Sequence, residues 1–170
     1  MKMKKALCCL TLTLSGAATL LPIHAIAQSD DDKKFLAKVS QADVDEVKLS
    51  ELAQQKATNP AVKAYANKMV KEHKIMAANF RPFAESWGVT PPADLDEDGQ
   101  KAWNKLNGLS GSDFDKEYID QMLSDHAKVY DEYKDEAKDT QDKKFQAAVL
   151  KNKTMVAAHK NMAWDLKKKL

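Results

Sequence analysis

Apolar residues recur at spacings of three and four along most of this chain, the period of α-helices that bury one face. The first stripe reads Phe35, Val39, Ala42, Glu46, Leu49 and Ala53 and predicts a helix from about Asp31 to Lys56. Ser29 and Asp32 are spaced as its N-cap and the cap's partner. Asn59-Pro60 then marks a tight break, an N-cap residue followed by proline at the first helical position. The second stripe carries Val62, Ala66, Met69, His73, Met76, Phe80, Phe83 and Trp87. Pro82 lies inside it and is expected to kink the helix, because it cannot donate to the carbonyl of Ala78. A short helix is expected around Gln100 to Asn107, with Trp103 and Leu106 facing inward. The next long helix starts near Ser112 and reads Ile119, Met122, His126, Val129, Tyr133 and Ala137. Asp139 or Thr140 is the expected cap of the last, whose stripe is Phe145, Val149, Asn152, Val156, His159, Ala163 and Leu166. Lys167 to Lys169 close it, as the helix dipole prefers.

Beyond residue 27 every glycine (Gly88, Gly99, Gly108, Gly111) falls in one region, together with Pro91 and Pro92. That region is the single long connection. Two helical hairpins joined in this way make an all-α four-helix bundle, with the short helix inside the connection. A helix of about 26 residues spans about 39 Å. The connection can run that whole length or turn back, and the pattern leaves both routes open.

The first residues have a different character. Lys2, Lys4 and Lys5 form a basic start, Ala6 to Ile23 an apolar stretch, and Ala25-Ile26-Ala27 a small-x-small sequence that a signal peptidase reads. A membrane span needs about 20 unbroken apolar residues; here Thr11, Thr13, Ser15 and Thr19 interrupt the run and Pro22 closes it. Residues 1–27 are therefore expected to leave as a signal peptide, with 28–170 as a single helical-bundle domain in the periplasm. Cys8 and Cys9 leave with the signal, so the mature chain has no disulfide or thiolate chemistry. It keeps 24 basic and 25 acidic side chains, where the full chain has 27 and 25. A near-neutral exported chain has no electrostatic case for nucleic acid, and no membrane span remains in it. Self-association is compatible with this reading, which names no protein partner.

All three histidines of the mature chain lie on inward stripes, His73, His126 and His159 on three different long helices, and Glu46 interrupts the stripe of the remaining one. A lone core histidine is usually structural, held by one hydrogen bond. Four ionisable groups, one per helix, must satisfy one another or bind something. Counted along the helices, Glu46, His73 and His126 stand at about 18, 21 and 20 Å from their hairpin turns, one common layer. His159 falls about 8 Å off that layer, and Met155, one turn earlier, falls on it. The expected metal ligands are thus Glu46 as anionic oxygen, His73 and His126 as neutral nitrogens, and His159 or Met155 as the fourth.

The five remaining methionines (Met69, Met76, Met122, Met155 and Met162) each lie four before or three after a histidine. Thioether with imidazole suits copper(I), while methionine on such a stripe also simply fills a bundle core. Tyr65-x3-Met69-Val70-Lys71-Glu72-His73 recurs as Tyr118-x3-Met122-Leu123-Ser124-Asp125-His126, so each of these histidines follows an acid that could orient a ligand. A di-iron carboxylate site needs several inward carboxylates and Glu-x-x-His spacings, which are absent. So are a cysteine nucleophile beyond residue 27, a glycine-rich phosphate loop and His-Glu-x-x-His. Catalysis has no recognisable carrier here.

Several segments resemble the domain-of-unknown-function 4142 family: Phe35-Leu36 leading to Glu46-Val47-x-Leu49-x-x-Leu52-Ala53, Asn59-Pro60-x-Val62-Lys63-x-Tyr65-Ala66-x-x-Met69-Val70-x-Glu72-His73, Phe114-Asp115-x-x-Tyr118-x-x-x-Met122-x-x-Asp125-His126, and the final His159. The segment from Phe114 to His126 is also similar to the copper-associated domain-of-unknown-function 305 family, with Asp125 standing where that motif has the first of two adjacent histidines. The resemblance implies a ferritin-like bundle, an exported protein and no defined activity. The combined expectation is a periplasmic bundle that binds copper or zinc or serves in metal or envelope stress. The alternative is a non-catalytic interaction or envelope-stress module whose buried histidines and Glu46 only fix helix register.

Overall fold

The computed structural model describes residues 29–170. The expected signal segment, with Cys8 and Cys9, lies outside them. Five helices follow in order: α1 (Asp30–Lys56), α2 (Pro60–Trp87), α3 (Glu97–Asn107), α4 (Gly111–Asp139) and α5 (Lys143–Lys167). Their boundaries follow local chemistry. Ser29 accepts from the Asp32 backbone N–H at 3.0 Å, and Asn59 from Ala61 ahead of the N-terminal proline of α2. The Asp32 carboxylate does not complete a capping box. It turns inward to accept from the Thr140 hydroxyl at 3.2 Å. α2 continues past Pro82 to Trp87 and ends on Gly88, whose φ of 69° suits a residue without Cβ. The cap of α5 is a correction: Asp142, neither Asp139 nor Thr140, accepts from the N–H groups of Lys144 and Phe145. Thr140 instead ends α4, and residues 140–142 are spent crossing to α5.

The hairpin partners α1–α2 and α4–α5 pack along their lengths, α2 lies beside α5, and α1 beside α4. Contacts along α1 and α4 run in opposite directions. Asp115 meets Thr58 at one end of the bundle, Ser50 meets Tyr118, Lys38 meets Glu132, and Asp32 meets Thr140 at the other end. α4 therefore descends alongside the ascending α1, and the connection after α2 travels the full length of the bundle. This is the ferritin-like arrangement with one crossover. α3, part of that crossover, lies over α1 and α4. Its Gly99 sits so close to Asp45 that a Cβ there would come within 2.7 Å of the carboxylate. Among the described residues no helix is long and apolar enough to cross a membrane.

The core is divided. One apolar cluster, including Leu49, Val62, Met69, Phe114, Ile119 and Met122, fills the end near the α1–α2 turn. The other, including Phe35, Leu36, Phe80, Tyr133, Phe145 and Val149, fills the end near the α4–α5 turn. Polar buried residues lie between them: Asp43, Glu46, His73, His126, Asn152 and His159. Asn152 ties α5 to α2 there, donating to the Met76 carbonyl at 3.1 Å and accepting from Asn79 at 2.7 Å.

Candidate metal centre

The three imidazoles meet between the two apolar clusters. His126 Nε2 lies 3.3 Å from His73 Nε2 and 3.3 Å from His159 Nδ1. These three nitrogens all fall within 4.8 Å of one another. Each ring's other nitrogen is engaged on the outside. His126 Nδ1 lies 2.8 Å from the Met122 carbonyl, His73 Nδ1 2.8 Å from Asp43 Oδ1, and His159 Nε2 2.7 Å from Glu72 Oε2. A carbonyl can only accept, so His126 carries its proton on Nδ1 and turns a bare Nε2 lone pair inward. Carboxylates on the outer nitrogens put the proton on Nδ1 in His73 and on Nε2 in His159, so both of these rings also turn a bare nitrogen inward. Three lone pairs then face one point. A separation of 3.3 Å is long for an N–H···N hydrogen bond. It suits ligands of one ion, because nitrogens roughly 2.0–2.1 Å from a common ion at tetrahedral angles stand about 3.3 Å apart. The donor set, its spacing and the outer partners all fit a transition-metal ion.

Burial disfavours the charged form of His126 and His159. It brings His159 down to about 4, with the charge of His73 adding to the effect and Glu72 opposing it. Burial, then the charges of His73 and His159, hold His126 well below the usual histidine range. Desolvation pulls Glu72 upward, but hydrogen bonds from Lys68 and His159 outweigh it and hold that carboxyl low. Neutral imidazole is the form that binds a metal, so the lowered values of His126 and His159 favour the competent form of those two rings.

The expected ligands fare differently. His73 and His126 meet as their heights suggest. His159 joins them, and this corrects the 8 Å offset: α5 begins at Lys143 rather than Thr140, which reduces the offset to about 4 Å, within side-chain reach. Met155 is half-buried against the Phe35–Phe145 cluster. Glu46 is buried at the right height, but its Oε1 approaches the outer nitrogen of His126, at 3.7 Å, rather than the inner three. Burial, then the charges of Asp125, Asp43 and Asp45, raise its pKa well above the ordinary range. Two residues the stripes passed over complete the site. Asp43 lies one turn before Glu46 on α1, a spacing that could have singled it out. Glu72 orients His159 on the neighbouring helix, not the His73 that follows it in sequence. Asp125, its counterpart on α4, accepts from Gln121 at 2.6 Å.

A family model described as a domain of unknown function, DUF4142, matches residues 20–166. No curated protein matches the chain. Among solved structures, a DUF305 fragment from Deinococcus radiodurans superposes with a TM-score of 0.74 at 9% identity, covering 84% of this chain and 99% of that one. CopM in a Cu(I)-bound form superposes with a TM-score of 0.69 at 18% identity, covering 81% of this chain and 96% of the other. CopM in an Ag-bound form gives 0.66 at 19% identity, with the same coverage. At these identities the likeness shows the shared helical-bundle fold.

Proposed function

This chain belongs to the DUF4142 family, and from that premise we propose that it is an exported metal-binding protein in which His73, His126 and His159 hold one copper or zinc ion. The observation that carries the reading is the convergence of three ring nitrogens whose outer partners leave their lone pairs facing one another. The ligand atoms are His73 Nε2, His126 Nε2 and His159 Nδ1, with Asp43, the Met122 carbonyl and Glu72 fixing the rings from behind. Glu46 and Met155 are left out of this set. An ion held by neutral imidazoles between two apolar clusters is sequestered rather than turned over, which suits buffering or carriage in the envelope. The shared fold of CopM, solved with Cu(I) and with Ag, makes copper the first ion to test.

Thermal melting with chelator and with one equivalent of Cu(I), Cu(II) or Zn(II) decides the question. A ligand of the folded state at about 100 times its Kd adds about 2.7 kcal/mol, a shift of several degrees in a domain of this size. His126→Ala is expected to abolish the shift. A wild type that melts at one temperature in all four conditions removes the metal reading and leaves the histidines as a structural network in an interaction or envelope-stress module. Export is checked separately, by N-terminal sequencing of envelope material. Gln28 is expected as the first residue, and an intact Met1 refutes it.

A further inference from the structure

A cleft of about 330 Å³ opens between α1, α3 and α4 and reaches His73 and Met76 on α2. Seven carboxylates line it against two lysines. Both lysines are already engaged, Lys38 with Glu132 at 2.7 Å and Lys128 with Asp125 at 3.9 Å. Acidic patches are ordinary on helical proteins, but four residues in this wall, Asp43, Glu46, Glu132 and Tyr133, each carry a buried oxygen without a hydrogen-bond partner, and the two carboxylates on α1 belong to residues that are themselves buried. Asp43 Oδ2 and Glu46 Oε2 are buried and have no hydrogen-bond partner, on residues only 4% and 6% exposed. A buried carboxylate oxygen without a donor is costly, and here two occur three residues apart on one helix, both in the wall of the same cleft. Their second oxygens are turned to the histidines, Asp43 Oδ1 to His73 Nδ1 at 2.8 Å and Glu46 Oε1 toward His126 Nδ1 at 3.7 Å. The charges of Asp45 and Asp125, in the wall of the same cleft, also act on Glu46.

We propose that Asp43 Oδ2 and Glu46 Oε2 are the protein ligands of a second cation position, separate from the imidazole centre, that takes a hard, partly hydrated divalent cation of the Mn²⁺ class from the cleft. The donor chemistry sets the class: carboxylate oxygens with room for water favour Mg²⁺, Ca²⁺ or Mn²⁺, while imidazole nitrogens favour copper and zinc. The inner nitrogens of the triad lie on the other side of the rings and contribute nothing to it. A field of one sign in a low-dielectric cleft concentrates such an ion. The position shares no ligand atom with the imidazole centre, so either one stands if the other falls.

Mn²⁺ titrated into the chelator-stripped mature protein, followed by the electron paramagnetic resonance of the free ion, tests the position. One bound Mn²⁺ per chain is expected, weakened at least tenfold in Glu46→Gln, which keeps the shape of the side chain and cannot give up a proton to become a carboxylate ligand. Absence of binding up to millimolar Mn²⁺, or equal affinity in Glu46→Gln, overturns the proposal. Pulsed measurements on the wild type decide it without any variant. Couplings from water protons with no strong nitrogen coupling are expected; strong imidazole nitrogen coupling would put the ion among the three histidines and overturn it. In the copper and zinc melting series the part of the shift lost in His126→Ala reports on the imidazole centre, so the two failures are distinguishable.

Discussion

Of the three imidazoles, His126 has the least choice, since the Met122 carbonyl dictates its tautomer. His159 is held by a carboxylate, Glu72, that Lys68 also engages. The consequence for His159 is a pH-dependent stability whose sign follows from proton counting. In the unfolded chain a histidine takes up its proton near 6.5, but in the folded protein His159 does so only at about 4. Between those values the unfolded state binds more protons, so the stability from His159 is complete above about 6.5 and is lost as pH falls toward 4. Metal-free protein should lose about 2–3 kcal/mol across that interval from this group. His159→Gln, which cannot take the proton, should flatten the loss; melting in chelator from pH 7 to 4 checks it, and a variant as acid-sensitive as wild type contradicts it. The histidines were visible in the sequence as polar interruptions of apolar stripes. Asp43 was not, because its neighbour Ala42 filled the expected inward position and the width of the buried face had to be seen.

At the scale of elements, the helices follow their local signals closely, because caps, prolines and period act within a few residues. The joints between helices are different. Asp115, near the start of α4, accepts from the Thr58 N–H at 3.1 Å, the Thr58 hydroxyl at 2.6 Å and the Asn59 N–H at 2.8 Å, so it closes the turn between α1 and α2. Removing a buried acceptor strands those donors, and Asp115→Ala should cost about 2–4 kcal/mol in urea unfolding, with Asp115→Asn costing less. A loss under about 1 kcal/mol would mean that water replaces the carboxylate there. Nothing near Asp115 in the sequence points to Thr58, 57 residues away.

Across the described residues, buried polar groups recur at three levels: Asp115 at one end, the histidines in the middle, and Asp32 with Thr140, beside the half-buried Glu136, at the other. The last level works against the first-named pH effect. Burial, then the hydrogen bond and charge of Asp32 and the charges of Asp139 and Asp31, push Glu136 up to about 7. Folded protein therefore keeps a proton on Glu136 that the unfolded chain releases near 4.5. Its contribution is fully present below that pH and is lost as pH rises through 7. Glu136→Gln should raise the melting temperature by a few degrees at pH 8, equivalent to about 1 kcal/mol, and leave it unchanged at pH 4. An equal gain at both pH values would show that packing, not charge, is responsible.

By itself the sequence determined that the described chain is helical, where its long helices run, and that one histidine on each of three helices faces inward. All of these follow from spacing within a few turns, and the two hairpins follow from their short joints. Tertiary structure alone decided that the long connection crosses the bundle, because glycine and proline mark where a chain leaves a helix but not its direction afterwards. It also brought His159, and not Met155, against His126, paired Glu72 with His159 instead of His73, and put Glu46 on the outer side of His126. Those choices depend on the axial offset between helices and on which edge of an imidazole ring faces the bundle axis, and neither quantity is carried by the period of one helix.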